Sequence, residues 1–299
     1  MNRPALGAIF AILAAISATL AACGRAAEPM SAQTPPPLAE DAGFEKLPKP
    51  GPLDWLATHT EAGQTYSQYL LSGANRPDAT RHTIYILPLG TFGDNAPSLE
   101  RLREFTSAFF MLDVTVLEGI AIDPSITSRD NGGVHQLYGP DLLAMLRKRL
   151  PPDAYCILGV TMSDLYPNPQ WNFVFGVASL EDRVGVYSFA RYDPRFYGKL
   201  AGADVQTVIL RRSCKVLAHE TLHMFGMPHC IFYKCVLNGS NSLAEADSRP
   251  LHLCPIDLRK LETAVKFDPR ERYQRLRDFC ARNGFDEETA RLDARLGKP

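Results

Sequence analysis

The sequence predicts an α/β (α+β) fold. β-rich runs alternate with segments of helical apolar spacing as far as residue 161, two more β-rich runs follow in quick succession, and a long helix comes next. Residues 82–90, rich in Ile, Tyr and Leu and closed by Pro88 and Gly90, read as the first strand. Residues 97–112 place Leu99, Leu102, Phe105 and Phe109 on one helical face. A β-like run over 114–122, a helix over 141–150 and a strand over 155–161 continue the alternation. Residues 171–178 and 184–190 read as two strands joined by the charged turn Glu181, Asp182 and Arg183. Asp204 is the expected N-cap of a long helix reaching Phe225, with Gly226 as its stop. From 227 to 299 the chain reads as loop followed by charged amphipathic helices. In the Arg-rich stretch 270–282, interleaved Glu271 and Asp278 point to a solvated face.

Composition excludes several classes. The 299 residues are 45% hydrophobic and 22% charged, proportions of a globular protein rather than a disordered one. Basic side chains number 32 against 33 acidic ones, leaving a formal net charge of −1. Nucleic acid is therefore not expected as a partner, because such proteins carry a basic face. Seven cysteines are too few for a disulfide-built miniprotein.

The N-terminus reads apart from the fold. Arg3 is the only charged side chain before Gly24, and residues 4–22 are dominated by Ala, Ile and Leu, the pattern of an export signal. Leu20, Ala21, Ala22 and Cys23 resemble a bacterial lipobox, in which the cysteine becomes the lipidated first residue. An ordinary cleaved signal and an uncleaved anchor are the other readings. Acyl chains on Cys23 would hold the protein on a membrane at ~0.8 kcal/mol per buried CH₂. The expected location is the bacterial cell envelope, lipid-anchored and facing the periplasm. Seven of the 23 prolines lie between 24 and 52, so 23–52 is an expected spacer. Residues 53–299 then form the folded part, an N-terminal subdomain to 226 and a smaller C-terminal one from 227, expected as a monomer.

Three of the seven histidines fall in the string His219, Glu220, Thr221, Leu222, His223, Met224, Phe225, Gly226, Met227, Pro228, His229. His219 and His223 are four apart, one helical turn, and can share one zinc ion. Gly226 permits the left-handed turn that returns His229 to the same metal. A third histidine leaves the fourth tetrahedral position for water, as a catalytic site requires. Glu220, beside the first ligand, is placed as the general base for that water. The remaining histidines, His59, His82, His135 and His252, have no partner at metal spacing, although His252 is near Cys254. Cys156 and Cys214 read as core residues, and Cys280 has no assigned role.

The string is the HExxHxxGxxH motif of metzincin zinc peptidases. The continuation through Cys230, Cys235, Leu253, Cys254, Pro255 and Ile256 resembles the archaemetzincins, as do the stretches 164–167, 171–176 and 184–189. This resemblance covers about residues 80–265 and implies a twisted mixed five-stranded sheet, an active-site helix and a smaller, mostly helical C-terminal subdomain. It implies hydrolysis of peptide bonds by zinc-activated water with Glu220 as base. It also implies an extended substrate paired with an edge strand, here 171–178. A non-catalytic binding lipoprotein on the same scaffold is the alternative, and endopeptidase and aminopeptidase action both stay open.

The resemblance further implies a second, structural zinc at Cys230, Cys235, Cys254 and Asp257. The family has a fourth cysteine at the last position. Asp257 can ligate zinc or instead cap a helix over 258–265. An empty site or a disulfide among the cysteines is the other outcome. Leu237 stands where the family has a methionine beneath the catalytic metal, a near-isosteric exchange.

Overall fold

The computed structural model describes residues 43–297. The expected export signal, Cys23 and residues 24–42 of the expected spacer lie outside them. Two short helices come first, α1 (Trp55–Thr58) and α2 (Tyr66–Leu71). Next come β1 (Thr83–Leu89), α3 (Leu99–Phe110) and β2 (Asp113–Val116). A hairpin of β3 (Ser128–Asn131) and β4 (Val134–Tyr138) leads into α4 (Gly139–Arg147), β5 (Ala154–Thr161) and β6 (Asp164–Tyr166). After β7 (Gly176–Ser179) and β8 (Val184–Ser188) runs the long α5 (Val205–Met224). The C-terminal part is helical: α6 (Leu243–Ser248), α7 (Pro255–Val265), α8 (Pro269–Arg282) and α9 (Asp286–Leu296).

The main sheet has five strands in the order β2, β1, β5, β8, β7, parallel except for β7, which pairs antiparallel with β8. This is the mixed α/β fold expected. Side-chain alternation along the strands divides the core between the two faces. Ile84, Ile86, Cys156, Leu158 and Val160 pack with Leu102, Phe105 and Phe109 of α3 and with Leu210, Cys214 and Leu217 of α5. Ile157, Val184 and Val186 face the other way, against Leu142 and Leu146 of α4. Cys156 and Cys214 are core residues as expected, and Cys280 of α8 joins the same core.

Several elements differ from their sequence reading. The run over 114–122 is regular only to Val116, after which Leu117 and Ile120 still donate to the carbonyls of Ile86 and Pro88. Residues 171–175 are not a strand of the main sheet. Arg129 and Gln136 take the carbonyls of Trp171 and Asn172 as side-chain donors, and Val174 bridges to Leu165 in a second sheet of β3, β4 and β6. Asp204 sits at the start of α5 without a side-chain cap. α8 is not solvated all round: Arg272 is fully buried, donates to the Phe109 carbonyl and lies over the Phe109 and Phe267 rings.

The end of the expected spacer is already docked. Leu47 donates to the Phe232 carbonyl, Lys234 donates to that of Glu45, and Lys46 bridges to Tyr233. The segment from 43 to 65 therefore lies along the loop that follows α5. Among the described residues, no helix is long and apolar enough to cross a membrane.

Candidate metal centre

α5 ends at the centre of the site. Its last two turns present His219 and His223 on one face, with ring centroids 4.8 Å apart. Gly226 follows at φ +75°, where a side chain would be strained and its Cβ would approach that of Ala74 to 2.7 Å. The turn made there brings His229 back, its ring 5.2 Å from His219 and 5.0 Å from His223. One ligand nitrogen from each of the three lies within 4.8 Å of the others. The turn at Gly226 and the return of the His229 ring both follow the expected spacing.

Each ring is oriented through its outer nitrogen. Nδ1 of His219 donates to the Val236 carbonyl at 2.9 Å, and Nδ1 of His223 donates to that of Met227 at 2.7 Å. Nδ1 of His229 is 2.7 Å from a carboxylate oxygen of Glu61. With the protons on Nδ1, the Nε2 atoms carry lone pairs. Nε2 of His219 and of His223 are only 3.2 Å apart, and Nε2 of His229 is buried with no hydrogen-bond partner among the described residues. Two facing lone pairs repel unless a cation lies between them. A tetrahedral zinc ion with nitrogens at ~2.05 Å would set them about 3.3 Å apart, so the donor set fits that ion.

Protonation favours the same outcome. Burial and the neighbouring His229 push His219 down to about 3. Burial and the other two histidines hold His223 well below the ordinary range. Glu220 is 3% exposed, and its Oε2 is buried without a hydrogen-bond partner among the described residues. Burial pushes this carboxyl up to about 8, and a dication at the histidines acts in the opposite direction.

A second cluster begins one residue after His229. Cys230, Cys235, Cys254 and Asp257 place one donor atom each within 4.8 Å of one another, all four buried. Sγ of Cys230 and Cys254 are 3.6 Å apart, and the cysteines are free thiols. Oδ2 of Asp257 is 3.4 Å from the Cys235 sulfur and 3.3 Å from that of Cys254. Asp257 is not the helix cap: Cys254 occupies that position, its sulfur accepting from the Asp257 amide. Hydrogen bonds from Cys235 and Cys254 favour the thiolate on Cys230, while burial pushes those two thiols up. Asn238 closes the loop, donating to the carbonyls of Cys230 and Tyr233 and accepting from the Cys235 amide. His252 is not part of the cluster and instead contacts Glu288 at 3.4 Å.

Three features of the site have no reading in the sequence. Glu61 lies 168 positions from the histidine it contacts. Trp55 sets its indole against His229, ring centroids 5.2 Å apart, and donates from Nε1 to Glu61 at 2.9 Å. A cavity opens beside His219, lined by Tyr192, Val216, Val236 and Leu243 together with Arg212, Lys215 and Arg249.

Known proteins resemble the chain closely. The profile of Peptidase family M54 matches residues 137–263. The chain is 40% identical over 256 residues to archaemetzincin-2 of Homo sapiens, covering 75% of this chain and 71% of that protein. It is 36% identical over 292 residues to archaemetzincin-2 of Rattus norvegicus, covering 86% and 81%. A solved archaemetzincin from Methanopyrus kandleri is 29% identical with a TM-score of 0.49, covering 64% of this chain and 99% of that one. One from Archaeoglobus fulgidus, complexed with malonate, is 29% identical with a TM-score of 0.47, covering 60% and 99%. With 71% of a relative's length covered at 40% identity, the chain belongs to the archaemetzincin family and is a zinc metallopeptidase.

Proposed function

We propose that this protein hydrolyses peptide bonds at His219, His223 and His229, with Glu220 as general base. The convergence of three imidazoles whose outer nitrogens are already engaged carries this reading. Zinc held there supplies Lewis acidity toward a carbonyl and toward water. Glu220 has a buried carboxylate oxygen with no partner among the described residues, which suits it to accept a proton and return it to the leaving amine. β7, at one edge of the main sheet, is the strand for an extended substrate, shorter than the expected 171–178. The cavity beside His219 presents Tyr192, Val216, Val236 and Leu243, and its charged side chains are committed elsewhere: Arg212 to Asp247 and the Tyr192 carbonyl, Lys215 to the carbonyls of Ala246 and Arg249, and Arg249 to Glu245. Apolar side chains therefore suit it best.

Glu220→Gln is expected to keep one zinc at the histidines and to lose roughly 10²–10⁴-fold in rate on a peptide library. Full activity in that variant contradicts the role. His223→Ala is expected to lose the catalytic metal, measured by metal analysis of purified protein.

Cys230, Cys235, Cys254 and Asp257 are the residues for a structural metal ion. The sequence at Cys23 supports a lipid-anchored form of the enzyme in a bacterial envelope, facing the periplasm. Cys23→Ser is then expected to abolish labelling by palmitate and to release the protein from the membrane fraction.

A further inference from the structure

Oε1 of Glu61 receives two donors at once, the Nδ1–H of His229 at 2.7 Å and the indole Nε1–H of Trp55 at 2.9 Å. An indole nitrogen only donates and an ionised carboxylate only accepts, so the direction of both bonds is fixed. His219 and His223 are oriented by neutral backbone carbonyls. His229 is oriented by a charged group, through a charge-assisted bond. It is also the ligand that needs this most. His219 and His223 ride on α5, whereas His229 lies beyond the helix, after the Gly226 turn.

The carboxylate is itself held in place. The Trp55 amide donates to Glu245 at 3.0 Å, and the indole stacks on His59 with centroids 3.7 Å apart. A Cβ on Gly239 would approach the indole to 2.4 Å, so the glycine lets the ring lie flush against the loop of the second cluster. Three residues after Glu61, Nε2 of the Gln64 side chain donates to the Gly226 carbonyl at 3.2 Å. The segment is thus tied on one side of Glu61 to the 239–245 region and on the other to the turn that aims His229. Residues 55–64 lie outside the stretch matched by the family profile.

We propose that Glu61 is the positioning residue of the third metal ligand, accepting the Nδ1–H of His229 and so fixing the tautomer and ring orientation that aim Nε2 at His219 and His223. The proposal rests on the reading of these histidines as the catalytic metal site. Glu61 touches no reacting atom. It acts through the imidazole, raising the basicity of the ligand nitrogen.

The test uses the full chain loaded with zinc or cobalt, with variants Glu61→Gln and Glu61→Ala. Zinc affinity is read by chelator competition, and ligand geometry by the visible spectrum of the cobalt-loaded protein. Glu61→Gln keeps an acceptor but loses the charge, and is expected to weaken zinc binding about tenfold; Glu61→Ala is expected to weaken it up to about 100-fold and to alter the cobalt bands. Metal bound at the cysteine cluster and thermal melting in chelator are expected to match wild type, which separates ligand positioning from a loss of fold. If Glu61→Ala binds zinc as tightly as wild type with the same cobalt spectrum, the proposal is overturned and the histidine site stands. If Glu61→Ala fails to fold, unchanged affinity in Glu61→Gln overturns it equally. If the wild-type protein takes up no metal that His223→Ala loses, the site reading falls and the proposal falls with it.

Discussion

Nζ of Lys260 donates to Oδ1 of Asp257 across 2.8 Å, with the two side chains 2% and 1% exposed. They are one turn apart on α7, a spacing that lets the two side chains meet on one face. Oδ1 is engaged by the ammonium, while Oδ2 faces the sulfurs of Cys235 and Cys254. Burial and the nearby Cys230 push the Asp257 carboxyl up to about 6, and the Lys260 charge opposes them. Asp257 thus comes with a cation that stabilises its ionised form.

Lys260→Met is therefore expected to destabilise the protein by about 3–5 kcal/mol, because it leaves a buried carboxylate uncompensated. Urea denaturation of the metal-free protein measures this. Adding Asp257→Cys to the variant removes the stranded charge and is expected to recover much of the loss. An unchanged midpoint in Lys260→Met shows that the pair contributes nothing to stability.

The same cluster sets up a test of metal choice. A carboxylate is a harder ligand than a thiolate, so Asp257→Cys is expected to raise the preference of this site for cadmium over zinc. Competition between the two ions, read by metal analysis, checks the direction. In metal-loaded wild-type protein, mass spectrometry under non-reducing conditions is expected to find Cys230, Cys235 and Cys254 without a disulfide. A bond between any two of them removes the basis for this metal site.

Leu237 is fully buried in the core and lies next to Val236, whose carbonyl orients His219. Leu and Met have nearly the same volume, so Leu237→Met is expected to change stability by less than about 1.5 kcal/mol and to leave zinc stoichiometry unchanged. A larger loss in urea denaturation shows that the packing around residue 237 is tuned to leucine.

Local spacing made part of this site legible. His219 and His223 needed only the helical repeat, and His229 needed only a glycine at the right distance, so all three meet as the sequence predicts. Asp257 joins the cysteines because α7 starts three residues earlier than the expected 258, which puts Cys254 at the cap and turns the carboxylate toward the sulfurs. Glu61 and Trp55 left no comparable signal. Their partners are far away in sequence, and a single glutamate in a polar segment has no periodicity to distinguish it. Of the strand expected over 171–178, the part over 171–175 failed for a related reason. Its β-like composition is real, but Arg129 and Gln136, about 40 residues earlier, supply the donors that a neighbouring strand would have supplied.

Lys215 links stability to pH. It lies on α5 with its ammonium buried, donating to the carbonyls of Ala246 at 2.5 Å and Arg249 at 2.6 Å. Burial, followed by the charge of Arg211, pushes its pKa from 10.5 down to about 7. Between about 7 and the ordinary lysine value the unfolded chain holds a proton there that the folded chain has lost. Stability must therefore rise with pH across that window, and the penalty for burying the charge is fully present below it. Lys215→Met removes the titrating group while keeping an unbranched apolar stem. From pH 7 to pH 9, the stability of wild type relative to Lys215→Met is expected to move by about 2 kcal/mol in favour of wild type, measured by urea denaturation at constant ionic strength. A difference that stays constant over this range shows that the buried amine keeps its proton and that the two carbonyls hold it as an ammonium.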